Sequence, residues 1–296
     1  MFDLSTYLEA QRRRIDHFLN TWFEQAMPAG RLRDAMRYAL MAGGKRLRPV
    51  LCGAAAEAVG GTCRDVLPAA CALEMIHTYS LIHDDLPAMD DDALRRGKPT
   101  CHVQFDEATA VLAGDALLTM AFQLLSDPRF ADPSRAPEWL AVTQRIACSA
   151  GGQGMVEGQM RDMAAQFTTL DRQALEALHA LKTGALISAA VHAGALLGGG
   201  HSGQIDGLET YAAAIGLAFQ VKDDILNVEG DPETTGKSVG TDEIKGKSTY
   251  PSVIGLEASK AFARDLVARA LQALTPFDLR ADPLRAIAAY IIERNR

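Results

Sequence analysis

The chain has 296 residues and is 48% hydrophobic, enough for a substantial core in one large domain or two small ones. Only 6% of residues are aromatic and alanine is abundant, which favours closely packed helices over a β-sandwich. A net charge of −7 argues against a nucleic-acid partner. The five cysteines lack Cys-x-x-Cys spacing, and the N-terminus does not resemble a signal sequence. No uncharged stretch is long enough to span a membrane. These features predict a cytoplasmic protein without stable membrane insertion.

Apolar periodicity predicts helices along the whole chain, and no segment alternates as a strand would. The predicted helices are, in order, 3–27, 31–41, one beginning near residue 51, 66–86, 105–125, 138–150, 171–197, 205–228, one beginning near residue 249, and 283–296. Residues 230–249 form a long polar loop of the kind that often serves as a lid. We therefore expect one all-α domain, residues 1–296, without a linker.

An acidic run follows the predicted helix 66–86. Its sequence is His83-Asp84-Asp85-Leu86-Pro87-Ala88-Met89-Asp90-Asp91-Asp92, and Arg95-Arg96-Gly97 comes next. Acidic loops are most often solvated surface, but the buried helix before this one, the arginines after it and a second Asp pair at 223–224 favour a site. Carboxylates at a helix C-terminus repel one another and need cations. Oxygen ligands beside arginines are typical of Mg²⁺ bridging a protein to a diphosphate.

Three further segments carry candidate binding residues. The segment Gly43-Gly44-Lys45-Arg46-Leu47-Arg48-Pro49 opens a helix and suits an oxyanion, although it lacks P-loop spacing. Lys182-Thr183-Gly184 places a glycine inside the predicted helix 171–197, which indicates either a kink or close helix packing. Gln220, Asp223 and Asn227 recur at helical spacing and therefore share one face.

Together these motifs resemble those of the trans-prenyl diphosphate synthases, most closely the bacterial farnesyl diphosphate branch of that family. Asp84-Asp85-x4-Asp90 is similar to the family's first aspartate-rich motif and Asp223-Asp224-x2-Asn227 to its second, where the family often has Asp at the last position. The other matches, in the family's order, are Gly43-Gly44-Lys45-x2-Arg48-Pro49, Arg95-Arg96-Gly97, Gly158-Gln159-x2-Asp162, Lys182-Thr183-Gly184, Phe219-Gln220 and Gly246-Lys247-Ser248. The resemblance spans nearly the whole chain and implies the all-α isoprenoid synthase fold around a central apolar cavity, in a homodimer.

The resemblance also implies roles for individual residues. Two or three Mg²⁺ ions per site would be bound by Asp84, Asp85, Asp90, Asp162, Asp223 and Asp224. Isopentenyl diphosphate would be bound by Gly44, Lys45, Arg48, His77 and Arg96. The allylic diphosphate would be bound by Arg95, Lys182, Thr183, Gln220, Lys237 and Lys247. Of these, the catalytic residues would be Lys182, Thr183 and Gln220.

The resemblance further implies that product length would depend on the residues just before the first Asp pair. Tyr79 lies five residues before Asp84, roughly 7.5 Å along the helix axis, and its ring would stop a growing tail whereas Ser80 would not. We therefore expect Mg²⁺-dependent head-to-tail condensation of isopentenyl diphosphate with dimethylallyl or geranyl diphosphate to farnesyl diphosphate, a C15 product. Geranyl and geranylgeranyl diphosphate synthases are alternatives. A class I terpene cyclase would not need the segment 43–49, and a non-catalytic partner subunit would not need a complete first aspartate motif.

Overall fold

The structure, a computed structural model, describes residues 2–130, 133–229 and 246–294. Helices dominate it, which confirms the all-α class. They are α1 (Leu4–Ala26), α2 (Arg31–Leu40), α3 (Leu47–Ala58), α4 (Cys63–Asp84), α5 (Cys101–Gln104), α6 (Glu107–Leu125), α7 (Ala136–Ala150), α8 (Met155–Ala164), α9 (Arg172–His179), α10 (Ala185–Leu197), α11 (Ser202–Glu229), α12 (Tyr250–Ile254), α13 (Leu256–Ala273) and α14 (Asp282–Glu293). Shorter helical segments are 3₁₀ at Pro133–Arg135 and Leu279–Ala281 and π at Ala180–Gly184.

Helices α3, α4 and α10 form the centre of the protein. α3 packs against α4 and α10, and α10 also packs against α7 and α11. α3 and α10 are apolar on nearly every side and rich in alanine, as expected of helices surrounded by other helices. α6 covers α4, and α13 covers α11. One continuous hydrophobic core therefore extends from α1 to α14.

Most predicted helix boundaries agree with the observed ones to within a few residues. The predicted helix beginning near residue 249 is divided at Gly255 into α12 and α13, and α5 was not predicted. α4 begins at Cys63 rather than at residue 66 because Thr62 and Asp65 form a capping box. The predicted helix 171–197 does begin after the N-cap Asp171, whose carboxylate accepts the N–H of Ala174. It is interrupted by the π-helical segment, which lies where the glycine was expected to mark a kink or close packing.

Two short strands, β1 (Leu94–Arg95) and β2 (Lys98–Pro99), are an addition to the sequence prediction. They pair antiparallel, and the turn residues Arg96 and Gly97 have φ values of 54° and 75°. Two successive positive φ values are typical of a two-residue hairpin turn. Strands of two residues are too short to show alternation, so the sequence pattern could not reveal them.

Two stretches, Glu107–Leu125 and Arg172–Leu197, have the length and mean hydropathy of a membrane span. In each stretch, 50% of the most apolar window is buried inside the protein. The packing of α6 on α4 and of α10 on α3 accounts for that apolar composition.

Arg46 shows how one basic residue of the segment 43–49 serves the fold. Its side chain is buried and donates hydrogen bonds to Glu74 at 2.8 Å, Asp16 at 2.9 Å and the carbonyl of Leu40 at 2.7 Å. These bonds join the start of α3 to α1, α2 and α4. The guanidinium is therefore a structural group and not part of an oxyanion site.

Replacing Glu74 tests this buried ion pair. We expect Glu74→Ala to lower the free energy of unfolding by about 3 kcal/mol, because the Arg46 charge stays buried without its closest carboxylate partner. Urea denaturation measures the change. The control is Glu9→Ala, which removes the exposed pair with Arg13 and should cost less than about 1 kcal/mol. Equal losses in the two variants would contradict the structural role of the pair.

Candidate functional site

The acidic run forms a compact turn after α4. The N–H of Asp90 donates back to the carbonyl of Asp84 at 2.9 Å, and the N–H of Asp91 donates to the carbonyl of Leu86 at 3.2 Å. Asp91 takes a φ of 52°, in the left-handed region that Asp tolerates better than most residues. The turn therefore returns Asp90 to Asp84, as the spacing around Pro87 predicts.

Asp84 and Asp85 have different surroundings. Asp85 is buried and accepts three hydrogen bonds from Arg95, at 2.9, 2.8 and 2.6 Å. Asp84 instead lines the large cavity described below. Burial raises the pKa of Asp84 to about 6, with Lys182 opposing the shift and Asp90 adding to it. Asp85 thus fixes an arginine, whereas Asp84 is the carboxylate that faces the cavity.

A group of basic residues lies beside this turn. Burial and the charges of Arg48, Arg96 and Arg95 hold the pKa of His77 well below its usual value. Burial also lowers the pKa of Arg48 to about 10, and its Nε has no hydrogen-bond partner among the described residues. Like charges gathered around a buried imidazole create a positive potential that suits an anion such as a diphosphate.

Gly44 provides the backbone part of this basic group. Its φ is 125°, and a Cβ there would collide with the guanidinium of Arg96, which donates to the carbonyl of Gly43. The next residue, Lys45, is exposed and borders a separate cavity of about 70 Å³ with Tyr290 and Arg294. Three of the residues predicted to bind isopentenyl diphosphate, Arg48, His77 and Arg96, are therefore close neighbours. The part of Lys45 in that binding stays a prediction.

A chain of opposite charges faces the acidic turn. Lys182 donates to Asp162 at 2.6 Å, and the Nζ of Lys247 lies 3.4 Å from both Asp162 and Asp90. Burial opposes ionisation of Asp162, but the charges of Lys182 and Lys247 outweigh it and lower the pKa of this carboxyl. An ammonium group therefore lies between two carboxylates that were predicted to bind metal. Lys237 falls outside the described residues.

Gly158 explains how α8 brings Asp162 to this chain of charges. A Cβ on Gly158 would collide with the backbone nitrogen of Lys182, so only glycine allows α8 to lie directly on the π-helical segment. Asp162 lies one helical turn further along α8 and reaches the Lys182 side chain. The spacing of the Gly158-Gln159-x2-Asp162 motif thus combines close packing with an ion pair.

A relay of hydrogen bonds runs from the π-helical segment to α12. The hydroxyl of Thr183 donates to Gln220 at 3.2 Å, and the Gln220 amide donates to Asp224 at 3.0 Å. The other carboxylate oxygen of Asp224 accepts the N–H of Tyr250 at 2.9 Å. Asp224 is buried and orients Gln220, so its contacts are those of a positioning residue. Its predicted metal binding stays a prediction.

Asp223 lies beside the end of the described chain. Arg294 is buried and donates to Asp223 at 2.6 Å and to the carbonyl of Phe219 at 2.9 Å. The guanidinium also lies 4.1 Å from the centre of the Phe219 ring. Asn227, one turn after Asp223 on α11, is half-buried. The carboxylate expected to bind the third metal ion is therefore held by an arginine here.

His179 is a residue of this site that sequence reasoning missed. It is buried, its ring stacks on Tyr250 at 5.6 Å, and its Nε2 lies 4.0 Å from Asp224. Neither ring nitrogen has a hydrogen-bond partner among the described residues. Burial lowers its pKa to about 4, so the ring is neutral at pH 7. Its position three residues before Lys182, on the same helix face, was the sequence feature that could have indicated a place in this site.

A cavity of about 350 Å³ is lined by several of these groups. The polar residues that line it are Arg48, His77, Ser80, His83, Asp84, Gln159, Lys182 and Thr183. The larger apolar or aromatic residues are Tyr79, Leu81, Met89, Met155, Val156, Met160 and Met163. The Ser80 hydroxyl donates back to the carbonyl of His77 at 2.9 Å, so it adds little bulk. The described part of the chain thus presents one cavity with a charged edge and a methionine-rich wall.

The carboxylates of this edge fit a magnesium ion that arrives with a diphosphate. Within residues 2–130, 133–229 and 246–294, no three His, Cys, Asp or Glu side chains converge as a preformed metal site. Mg²⁺ does not need such a site, because it retains waters and binds through one or two carboxylates plus substrate phosphates. Asp84 and Asp90 supply oxygen donors, and Asp90 already lies close to the ammonium group of Lys247.

Comparisons with known proteins agree with this geometry. The polyprenyl synthetase family profile matches residues 29–276. The chain is 46% identical over 289 residues to the farnesyl diphosphate synthase of Geobacillus stearothermophilus, covering 97% of this chain and 95% of that one. It is also 46% identical over 297 residues to the geranylgeranyl diphosphate synthase of Cyanophora paradoxa, covering 99% and 97%.

A solved structure agrees as well. The apo crystal structure of an FPP/GFPP synthase from Zymomonas mobilis superimposes with a TM-score of 0.86, at 40% identity and over 98% of both chains. Fold, site and relatives together define a prenyltransferase. The chain belongs to the polyprenyl synthetase family.

The buried charge of Asp84 generates a prediction on stability. Because its folded pKa of about 6 lies above the ordinary 3.8, Asp84 favours the folded state below pH 3.8, and this contribution is lost as pH rises through 6. We expect Asp84→Asn to raise the free energy of unfolding of the metal-free protein at pH 8 by about 1–2 kcal/mol, while lowering turnover.

Denaturant unfolding at pH 8 and pH 4 measures this effect, and the gain should vanish at pH 4. The control is Asp91→Asn in the same turn, which changes an exposed carboxylate and should leave stability within about 0.5 kcal/mol. Equal gains for the two variants at pH 8 would contradict the assignment of the strained charge to Asp84.

Proposed function

We propose that the protein catalyses Mg²⁺-dependent head-to-tail condensation of isopentenyl diphosphate with dimethylallyl or geranyl diphosphate to give farnesyl diphosphate. The observation that carries this proposal is a cavity of about 350 Å³ bordered by Arg48 and His77, by Asp84 and by Lys182. One cavity with cationic groups and a carboxylate at its edge and an apolar interior suits two diphosphates and one hydrocarbon tail. The relatives named farnesyl diphosphate synthase support the same reaction.

The basic group beside the acidic turn is the proposed site for isopentenyl diphosphate. Arg48 offers an Nε that has no partner among the described residues, and Arg96 lies over the backbone of Gly44. His77 is neutral because burial and the neighbouring arginines hold its pKa well below its usual value. A neutral imidazole donates or accepts one hydrogen bond without adding to the positive charge. Together these groups would hold the diphosphate while leaving its alkene end in the apolar part of the cavity.

The allylic diphosphate would bind at the acidic edge. Asp84 and Asp90, with Asp162 and Asp223, would hold the metal ions, and Mg²⁺ would neutralise negative charge on the leaving diphosphate. Lys182 and Lys247 lie within 3.4 Å of these carboxylates and would move onto diphosphate oxygens. Arg95 is fixed on Asp85 and adds positive charge beside Asp84.

Thr183 and Gln220 would stabilise the developing allylic cation. The Thr183 hydroxyl lines the cavity and donates to Gln220, so its oxygen lone pairs are available to a positive charge. The allylic C–O bond breaks, the new C–C bond forms to isopentenyl diphosphate, and one proton is lost from the condensation product. The departing diphosphate is the base for that proton, because it stays in a cavity whose apolar wall excludes water.

Product length follows from Tyr79 in this proposal. Its ring lines the cavity and is 7% exposed, whereas the Ser80 hydroxyl turns back to the carbonyl of His77. The ring therefore limits the space for a tail and favours C15. Geranylgeranyl diphosphate synthesis is the second candidate, because relatives of that name match at similar identity.

A homodimer is part of the proposal. Val111 and Leu112 are adjacent aliphatic residues on α6 and are 39% and 57% exposed. This surface supports α6 as the interface that the family resemblance implies.

The proposed reaction is tested by incubating the purified chain with labelled isopentenyl diphosphate, dimethylallyl diphosphate and MgCl₂, then separating the products by chromatography. We expect a C15 main product and complete loss of turnover in EDTA, because two diphosphates cannot meet in one cavity without cations. A C20 main product would contradict the chain length. Metal-independent turnover would contradict the reaction mechanism.

Replacing Tyr79 tests the limit on product length. We expect Tyr79→Ala to shift the main product to C20 or longer, because the space of the ring becomes available to the tail. The matched control, Ser80→Ala, changes the neighbouring cavity residue by one oxygen atom and should keep the C15 product. An unchanged product distribution in Tyr79→Ala would show that the ring only packs.

A further inference from the structure

His83 is a cavity residue without an assigned role. It lies on α4 one turn after Tyr79, and the two rings meet edge to face with centroids 5.7 Å apart and an interplanar angle of 79°. Both side chains line the cavity of about 350 Å³. The Nε2 of His83 also lies 3.1 Å from the carbonyl oxygen of Val111 on α6, within hydrogen-bond distance. The imidazole therefore connects the cavity wall to α6.

Gly114 on α6 makes room for this ring. A Cβ on Gly114 would collide with Nε2 and would lie 2.5 Å from Cδ2 and 2.9 Å from Cε1 of His83. Gly114 is buried in the middle of α6, where glycine weakens a helix relative to alanine. The absent side chain thus has a local consequence: the Nε2 edge of the imidazole can approach the α6 backbone to within hydrogen-bond distance.

We propose that His83 is a specificity-determining residue, which forms one side wall of the tail cavity together with Tyr79, and that Gly114 sets how far this wall projects. The inference rests on the proposed function, because the cavity must hold a prenyl tail. The imidazole is the end of a side chain with two rotatable bonds, so a group added at Gly114 displaces the ring rather than the helix. The ring lines the cavity as well as contacting α6, so a ring displaced from α6 takes up space in the cavity.

Three variants test this inference through product length. Gly114→Ala pushes the ring into the cavity, and the share of the main product falls about tenfold in favour of a product one isoprene unit shorter. His83→Ala removes the ring and shifts products one unit longer. The double variant Gly114→Ala with His83→Ala matches His83→Ala, because no ring remains to be displaced. Such non-additivity is the signature of two residues acting through one contact.

Gly203→Ala on α11 is the control, since a Cβ there meets only the His201 side chain, at 3.5 Å. Its product distribution should equal that of the unmodified protein. Unchanged product lengths in Gly114→Ala and His83→Ala would overturn the inference. Loss of turnover in Gly114→Ala that His83→Ala does not restore would overturn it too, because the added methyl group would then act elsewhere.

All shifts are measured against the unmodified protein. A main product other than C15 in that protein would contradict the proposed chain length, while the relative shifts would still decide the role of His83. The two failures are therefore distinguishable.

Discussion

Negative charge gathered in the turn after α4 and on α8 and α11 is the constraint on which this structure depends. Carboxylates gathered in a partly buried place repel one another and are stable only beside cations. The chain supplies those cations itself: Arg95 on Asp85, Lys182 and Lys247 on Asp162, Lys247 also near Asp90, and Arg294 on Asp223. Asp84 keeps the raised pKa of about 6 that burial gives it. Most of these carboxylates are thus paired with a cation, while burial opposes the ionisation of Asp84. This is expected where a metal bound to a diphosphate must enter.

The fold brings these groups together through a few backbone features. α4 ends at Asp84, and the turn that follows returns Asp90 to it. The π-helical segment presents Lys182 and Thr183, and Gly158 lets α8 lie close enough for Asp162 to reach Lys182. Each feature weakens a regular helix or needs an unusual φ. The surrounding core of α3, α4 and α10 supplies the stability that makes such features tolerable.

Much of this could be predicted from the sequence because it follows from periodicity and local chemistry. The helices follow from apolar spacing. The return of Asp90 towards Asp84 follows from Pro87, which ends the helix, and from the length of the loop. Side-chain partners that lie far apart in sequence could not be predicted. Arg46 and Lys45 are adjacent basic residues, yet one is buried on Glu74 and the other is exposed beside a different cavity. Asp223 and Asp224 likewise have different partners, because Asp223 accepts from Arg294 and Asp224 accepts the N–H of Tyr250. Asp223 and Asp224 lie on α11, where adjacent residues point in directions about 100° apart. Lys45 and Arg46 precede α3, and Arg46 takes a φ of 50°, which turns the chain between them and the helix.

The most direct test is whether these carboxylates bind a metal ion together with a diphosphate. It is made by measuring thermal unfolding of the protein with MgCl₂, with inorganic diphosphate and with both. We expect small shifts of the unfolding midpoint with either ligand alone and a much larger shift with both, because each neutralises the charge that opposes the other. Asp84→Asn should abolish the extra shift. Full stabilisation by MgCl₂ alone, or two shifts that merely add, would contradict joint binding of the metal and the diphosphate.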